Sequence, residues 1–277
     1  MDLIRLLRLG TASGIGLTTV KLFAARSDWH VVIFDYNSKT GNEQAQALGD
    51  KASFQQVDCT SYASLGSAFK ATFQTHKRID FVFANAGIGE RVNFYERHDS
   101  SGEEPPPQPE EWKRIIDICL TGVFSTAYLA QHYFRLSPES AKGERNLVIT
   151  ASCGALYPSN YSPVYTAAKH GVLGFMRSVA PAMYRLDGIR VNAVLPGTVQ
   201  TNLLSKDEWA SFPQEYFTPV EKIAEVVAMF VDGKDRGKAV ECSGRNHYYR
   251  EQPEYCDEAM RAVMASTDRD TPFDLGK

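Results

Sequence analysis

The 277-residue chain lacks the marks of several protein classes. Its five cysteines, Cys59, Cys119, Cys153, Cys242 and Cys256, never fall at the close spacing of a zinc site or a redox pair, so no metal is expected and the thiols read as free in a reducing compartment. No apolar run is long enough to span a membrane. There is no low-complexity block, internal repeat or interdomain linker. Lys and Arg (30) nearly balance Asp and Glu (33), and the formal charge of -3 provides no positive field for nucleic acid or an acidic membrane surface. A small-molecule ligand fits better. The first nine residues set Arg5 and Arg8 among leucines, as a presequence would, but a glycine motif from Gly10 leaves no room for cleavage, and a cytoplasmic location is expected.

What is present is an alternation. Apolar runs of strand length (Val31 to Phe34, Phe54 to Val57, Phe81 to Ala84, Leu147 to Ile149, Val191 to Leu195, Ala239 to Val240) are separated by stretches of helical period at about 14–26, 38–48, 61–75, 110–136, 162–185 and 219–233. Such alternation predicts an α/β fold, one doubly wound (Rossmann) domain over 1–277 with a mostly parallel, seven-stranded sheet. The first strand, Leu3 to Leu9, carries Arg5 and Arg8, unusual for a central strand, yet the glycine turn needs a strand before it. Residues 88–109, with Glu103-Glu104-Pro105-Pro106-Pro107, fit neither strand nor helix and read as an insertion at the carboxyl edge of the sheet, either a substrate flap or a solvated excursion.

Gly10-Thr11-Ala12-Ser13-Gly14-Ile15-Gly16 opens a helical pattern, which suits a tight turn whose N–H groups approach a pyrophosphate. Asp35 closes the next strand 19 positions after Gly16. An acid there can accept hydrogen bonds from the adenosine ribose hydroxyls and repel a 2′-phosphate, and no Arg or Lys follows it directly, so NAD(H) is expected over NADP(H). The competing reading makes Asp35 a turn residue alone.

Tyr165-Thr166-Ala167-Ala168-Lys169 places a phenol and an ammonium on one helix face, where the cation favours phenolate and fits the tyrosine for proton transfer; alone, such a pair is usually a surface feature. Ser152 ends the Leu147 to Ile149 strand region, able to hydrogen-bond the same substrate oxygen.

Together these residues resemble the short-chain dehydrogenase/reductase family over nearly the whole chain: Asn85-Ala86-Gly87 matches its strand-four motif, Ser152 precedes Tyr165 by 13 positions, and Asn192 through Thr201 is similar to its nicotinamide-side segment. Pro163 through Gly174 looks most like the NAD-linked prostaglandin dehydrogenase branch. The resemblance implies an NAD(H)-dependent oxidoreductase interconverting a secondary alcohol and a ketone, with Ser152, Tyr165 and Lys169 catalytic. It implies that the turn residues Gly10, Ser13, Gly14, Ile15 and Gly16 hold the cofactor with Asp35, that Asp58 and Cys59 flank adenine, and that Asn85, Ala86 and Gly87 form the floor. Pro196, Gly197, Thr198, Val199 and Thr201 would lie on the nicotinamide side, beside Tyr165 and Lys169. It also implies a homodimer or homotetramer, in line with apolar residues on more than one face of the two long helices (Val123, Phe124, Tyr128, Val172, Phe175, Met176).

The sequence departs from the family at Leu9, where Thr is usual, and at Cys119, where the family has a catalytic Asn. A thiol lacks the amide's paired hydrogen bonds, so a non-redox isomerase, cyclase or regulatory binding protein is the alternative; Cys119 could also be a small buried residue. Tyr157, Tyr161, Trp209, Phe212, Tyr216 and Phe217, mostly in a substrate-side segment at about 198–218, would suit a large apolar substrate or simply pack the domain.

Overall fold

The computed structural model describes residues 6–9, 12–97, 104–141 and 143–267, and for 6–9 the backbone alone. Eight strands form one sheet: β1 (Leu6–Leu9), β2 (Val31–Asp35), β3 (Ala52–Gln56), β4 (Phe81–Ala84), β5 (Asn146–Thr150), β6 (Arg190–Pro196), β7 (Ala239–Ser243) and β8 (Asn246–Tyr249), in the order 3-2-1-4-5-6-7-8. The first seven run parallel, as expected. The expected count of seven falls one short, because β8 pairs antiparallel with β7 through a two-residue hairpin whose first residue, Gly244, has φ +53°. An antiparallel strand needs no crossover helix, and the polar run 246–249 carries none of the apolar signal that marks a central strand.

Alternation along each strand builds two cores. Val32, Phe34, Val82, Ala84, Leu147 and Ile149 point to the face covered by α3 (Tyr62–His76), α5 (Gly122–Leu136) and α6 (Pro163–Asp187), whereas Val31, Ile33, Phe81, Phe83 and Val148 point to α1 (Gly14–Ala24) and α8 (Val220–Asp232). The remaining helices are α2 (Ser38–Leu48), α4 (Glu110–Ile116), α7 (Lys206–Ala210) and α9 (Glu258–Ser266). Sequence periodicity misses α7 and α9, which are short and bury a single residue between them, Trp209.

The expected helix 110–136 is one continuous helical run interrupted by a π turn at Asp117–Thr121, with Cys119 buried in it. Such turns insert a residue into the helical ladder and re-aim the side chains around them. Strand order reverses between β1 and β4, and at the carboxyl ends of the strands around that switch point a cleft of about 820 Å³ opens. Among the described residues no helix is long and apolar enough to cross a membrane.

Candidate active site

The cleft gathers nearly every residue singled out in the sequence. At one end lie Ser13, Gly14 and Ile15, with Asp35 at the end of β2 and Asp58 and Cys59 after β3. Gly14 takes φ +52°, a conformation that costs glycine little, and a side chain there would meet Thr201 at 3.1 Å. Gly16 is buried inside α1 and does not line the cleft, and Gly10 lies outside the described residues. The Asp35 carboxylate accepts the Ala12 N–H at 2.9 Å and the Asn37 N–H at 3.0 Å, which ties the glycine turn to the end of β2. Tyr36, Asp58 and Thr60 complete this end, and none of them is a cation.

In the middle, Asn85, Ala86 and Gly87 line the cleft after β4, where the Thr150 hydroxyl donates to Asn85 Oδ1 at 2.9 Å. Pro196, Gly197, Thr198, Val199 and Thr201 line it after β6. Ser152, Tyr165 and Lys169 meet here, from the β5 end and from the first turns of α6. The Lys169 ammonium, 2% exposed, donates to the Thr150 carbonyl at 2.9 Å and lies 5.6 Å from the centre of the Tyr165 ring. The Ser152 hydroxyl accepts the Gly154 N–H at 3.1 Å and donates to the Cys153 sulfur at 4.0 Å, a weak contact that a substrate oxygen can replace.

Burial pushes the Tyr165 phenol up, repulsion from the Cys119 and Cys153 thiols adds to it, and a hydrogen bond with Ser152 opposes it. Desolvation thus opposes the expected pull of the Lys169 cation toward phenolate, and Lys169 is itself held down by desolvation while its ammonium donates to a carbonyl. Burial likewise pushes Cys59 to about 12, so it is an inert thiol in the wall.

Cys119 makes more contact than expected. Its sulfur accepts the Ile88 N–H at 3.4 Å and donates to the Ile88 carbonyl at 3.5 Å, so the thiol does form a paired, weak link between the π turn and the loop after β4. That loop is the start of the expected insertion. Ile88, Gly89, Glu90 and Arg91 line the cleft, whereas the described residues 93–97 and 104–108 are exposed, so the segment is part wall and part solvated excursion; 98–103 lie outside the described residues.

The substrate-side segment is folded on itself. The Trp209 indole N–H donates to the Thr201 carbonyl at 2.7 Å, the Thr218 N–H to the Thr198 carbonyl at 2.8 Å, and Ser205 and Glu208 form a reciprocal capping box on α7. Tyr161, Trp209 and Phe212 line the cleft. Tyr157, Tyr216 and Phe217 do not: Tyr157 donates to Glu241, Phe217 packs edge-on against Trp209, and Tyr216 is exposed. Sequence reasoning missed Glu90, Arg91 and Thr150. Only the Ser205-x-x-Glu208 box carried a readable local signal for this region.

Comparison with known proteins follows the same outline. The family model described as short chain dehydrogenase matches residues 6–210. The short-chain dehydrogenase/reductase prx7 of Penicillium rubens is 45% identical, covering 91% of this chain and 96% of its own. The human 15-hydroxyprostaglandin dehydrogenase [NAD(+)] is 28% identical over 80% of this chain and 77% of its own. A crystal structure of 3-ketoacyl-(acyl-carrier-protein) reductase from Brucella melitensis complexed with NADH superposes with a TM-score of 0.72 at 26% identity, covering 88% and 98% of the two chains.

Proposed function

We propose, from the premise that the chain belongs to the short-chain dehydrogenase/reductase family and is an oxidoreductase acting on CH–OH groups, that it interconverts a secondary alcohol and its ketone with NAD(H). The observation that carries this is the meeting of Ser152, Tyr165 and Lys169 in the same cleft as the glycine turn and Asp35. The residues fit a nicotinamide dinucleotide. A side chain on Gly87 would make only ordinary contacts, 3.7 Å to Cys119 Sγ and 3.8 Å to Lys169 Nζ, so the glycine leaves room in the cleft rather than relieving a clash in the protein. The Asp35 end offers acceptors and no counter-charge for a 2′-phosphate, which favours NAD(H).

When bound, the nicotinamide supplies a hydride acceptor or donor. The chain's own groups do the rest. Tyr165 exchanges the proton with the substrate oxygen, the Ser152 hydroxyl holds that oxygen, and Lys169, fixed on the Thr150 carbonyl, sets a positive charge beside the phenol. Tyr161, Trp209 and Phe212 present an aromatic wall to a large apolar substrate. The human NAD-linked relative supports the proposed cofactor, but at 28% against the 45% of the fungal one it gives no special weight to the prostaglandin branch. Five free thiols suit a reducing, cytoplasmic setting. No feature of the site or the relatives favours the non-redox alternative. The test is to incubate the purified protein with NAD+ or NADH and a panel of apolar alcohols and ketones while following nicotinamide absorbance. Substrate conversion with no net change in the cofactor would overturn the redox reading.

A further inference from the structure

The helix that carries Tyr165 and Lys169 begins without a cap of its own. Ser162, at its N-cap position, makes no side-chain bond to the helix and instead shares a hydrogen bond with Ser159 at 3.2 Å. Pro163 has no N–H, so the unpaired donors of the first turn include those of Val164 and Tyr165. The acceptor for Tyr165 comes from 75 residues earlier in the chain: Glu90 Oε2 accepts its N–H at 2.8 Å.

Glu90 is 2% exposed, and its other oxygen, Oε1, is buried with no partner. A carboxylate so placed costs stability: burial raises its pKa, against the backbone N–H groups of Tyr165 and Val164 that lower it, and Glu111 adds repulsion. Packing alone would be served better by an apolar residue, so the acid is explained by what it holds. Its neighbours anchor it from the other side. A side chain on Gly89 would meet the Leu203 carbonyl oxygen at 3.1 Å, the Arg91 guanidinium donates to that same carbonyl at 3.3 Å, and the Arg91 N–H donates to Glu111.

We propose that Glu90 is a positioning residue for Tyr165: by capping α6 from the loop after β4, it fixes the backbone of the tyrosine relative to the cleft floor and to the substrate-side segment that grips Gly89 and Arg91. The inference rests on the proposed role of Tyr165 as the proton-exchanging group. Glu90 itself touches neither the substrate oxygen nor the proton. Placement of the phenol to within a fraction of an ångström is what the cap contributes, and misplacement by about 1 Å costs on the order of a hundredfold in rate.

The test uses E90A, which removes the cap, and E90Q, which keeps an acceptor oxygen. Backbone hydrogen exchange of peptides spanning 160–168 reads the cap without any substrate, so it remains informative even if no alcohol in the panel is oxidised. E90A is expected to speed exchange there and to lower kcat by about tenfold or more, with the dissociation constant of NADH and the KM for substrate within about twofold of the unsubstituted enzyme. E90Q is expected to restore protection and most of kcat. Exchange unchanged in E90A would overturn the proposal, as would an unchanged kcat. Should E90A not fold, E90Q decides: protection retained with kcat retained supports the cap, and protection retained with kcat lost would show that the charge acts in the chemistry instead.

Discussion

Asp35 binds the protein before it binds anything else, through the N–H groups of Ala12 and Asn37. Asp35→Ala therefore removes three things at once: an anchor of the glycine turn, an acceptor for ribose, and a charge opposed to a 2′-phosphate. NAD(H) affinity is expected to fall by about tenfold or more and NADP(H) affinity to fall less or to rise, so that the preference narrows. Calorimetry of both cofactors checks it, and equal loss for the two would contradict it. At Tyr165 the sign of the pH dependence follows from burial. A phenol pushed up stays protonated through neutrality, so alcohol oxidation, which needs the base, should climb as pH rises into the alkaline range, whereas ketone reduction, which needs the acid, should stay level through neutrality and fall in alkali. Rate–pH profiles in both directions measure this; oxidation already at its plateau in mildly acidic buffer would be the contrary result. Cys119→Asn replaces two weak sulfur contacts on Ile88 with amide ones of ordinary strength. Faster turnover across pH with unchanged nucleotide affinity is expected, and an unchanged profile would remove position 119 from the proton path.

Two glycines, one after β4 and one after β6 on either side of β5, separate fold from site. A side chain on Gly197, just past β6, would lie 2.8 Å from the Cys242 carbonyl oxygen of β7, to which the Gly197 N–H already donates at 2.9 Å. Gly197→Ala must spread the β6–β7 edge and is expected to cost about 1–3 kcal/mol, seen as a lower Tm, with weaker nucleotide binding. Gly87→Ala, which meets nothing closer than 3.7 Å, should leave Tm unchanged and still weaken NADH binding. If Gly87→Ala binds NADH normally, the cleft floor has been misplaced. What could be read in the sequence divides along the same line. The buried parallel strands and the helices over them announce themselves because each must carry its apolar residues at a fixed period, and the glycine turn, Asp35, Ser152, Tyr165 and Lys169 stand at strand ends and on one helix face where spacing alone brings them together. Glu90 and Arg91 meet their partners across 75 and 112 residues through a loop with no period, and the π turn at Cys119 depends on hydrogen bonds that leave no pattern in the letters. The polar edge strand β8 is hidden for the same reason, because it buries nothing.

Of the six residues that suggested subunit pairing, the fold uses three for itself: Val123, Val172 and Met176 are core. The remaining three mark an outer face of α5 and α6. Phe124 is 37% and Tyr128 67% exposed, and Phe175, half-buried, packs against Phe124 with ring centres 4.6 Å apart. Two helices lying side by side in the same direction, as crossovers of a parallel sheet must, and showing such rings to water can bury them against the same face of a second copy, since a two-fold axis pairs a patch with itself. The face also matters for chemistry, because α6 carries the proton-transfer pair at one end and Phe175 farther along, and a helix clamped by a neighbour holds its first turn more steadily. A dimer or tetramer is therefore expected by light scattering at micromolar concentration. Phe124→Glu with Tyr128→Glu, which places like charges across the axis on side chains the monomer leaves exposed, should shift the protein toward monomer without lowering the monomer's secondary structure content. A protein that is monomeric before substitution, or a double variant that keeps the unsubstituted mass in solution, would show that this face is not where the copies meet.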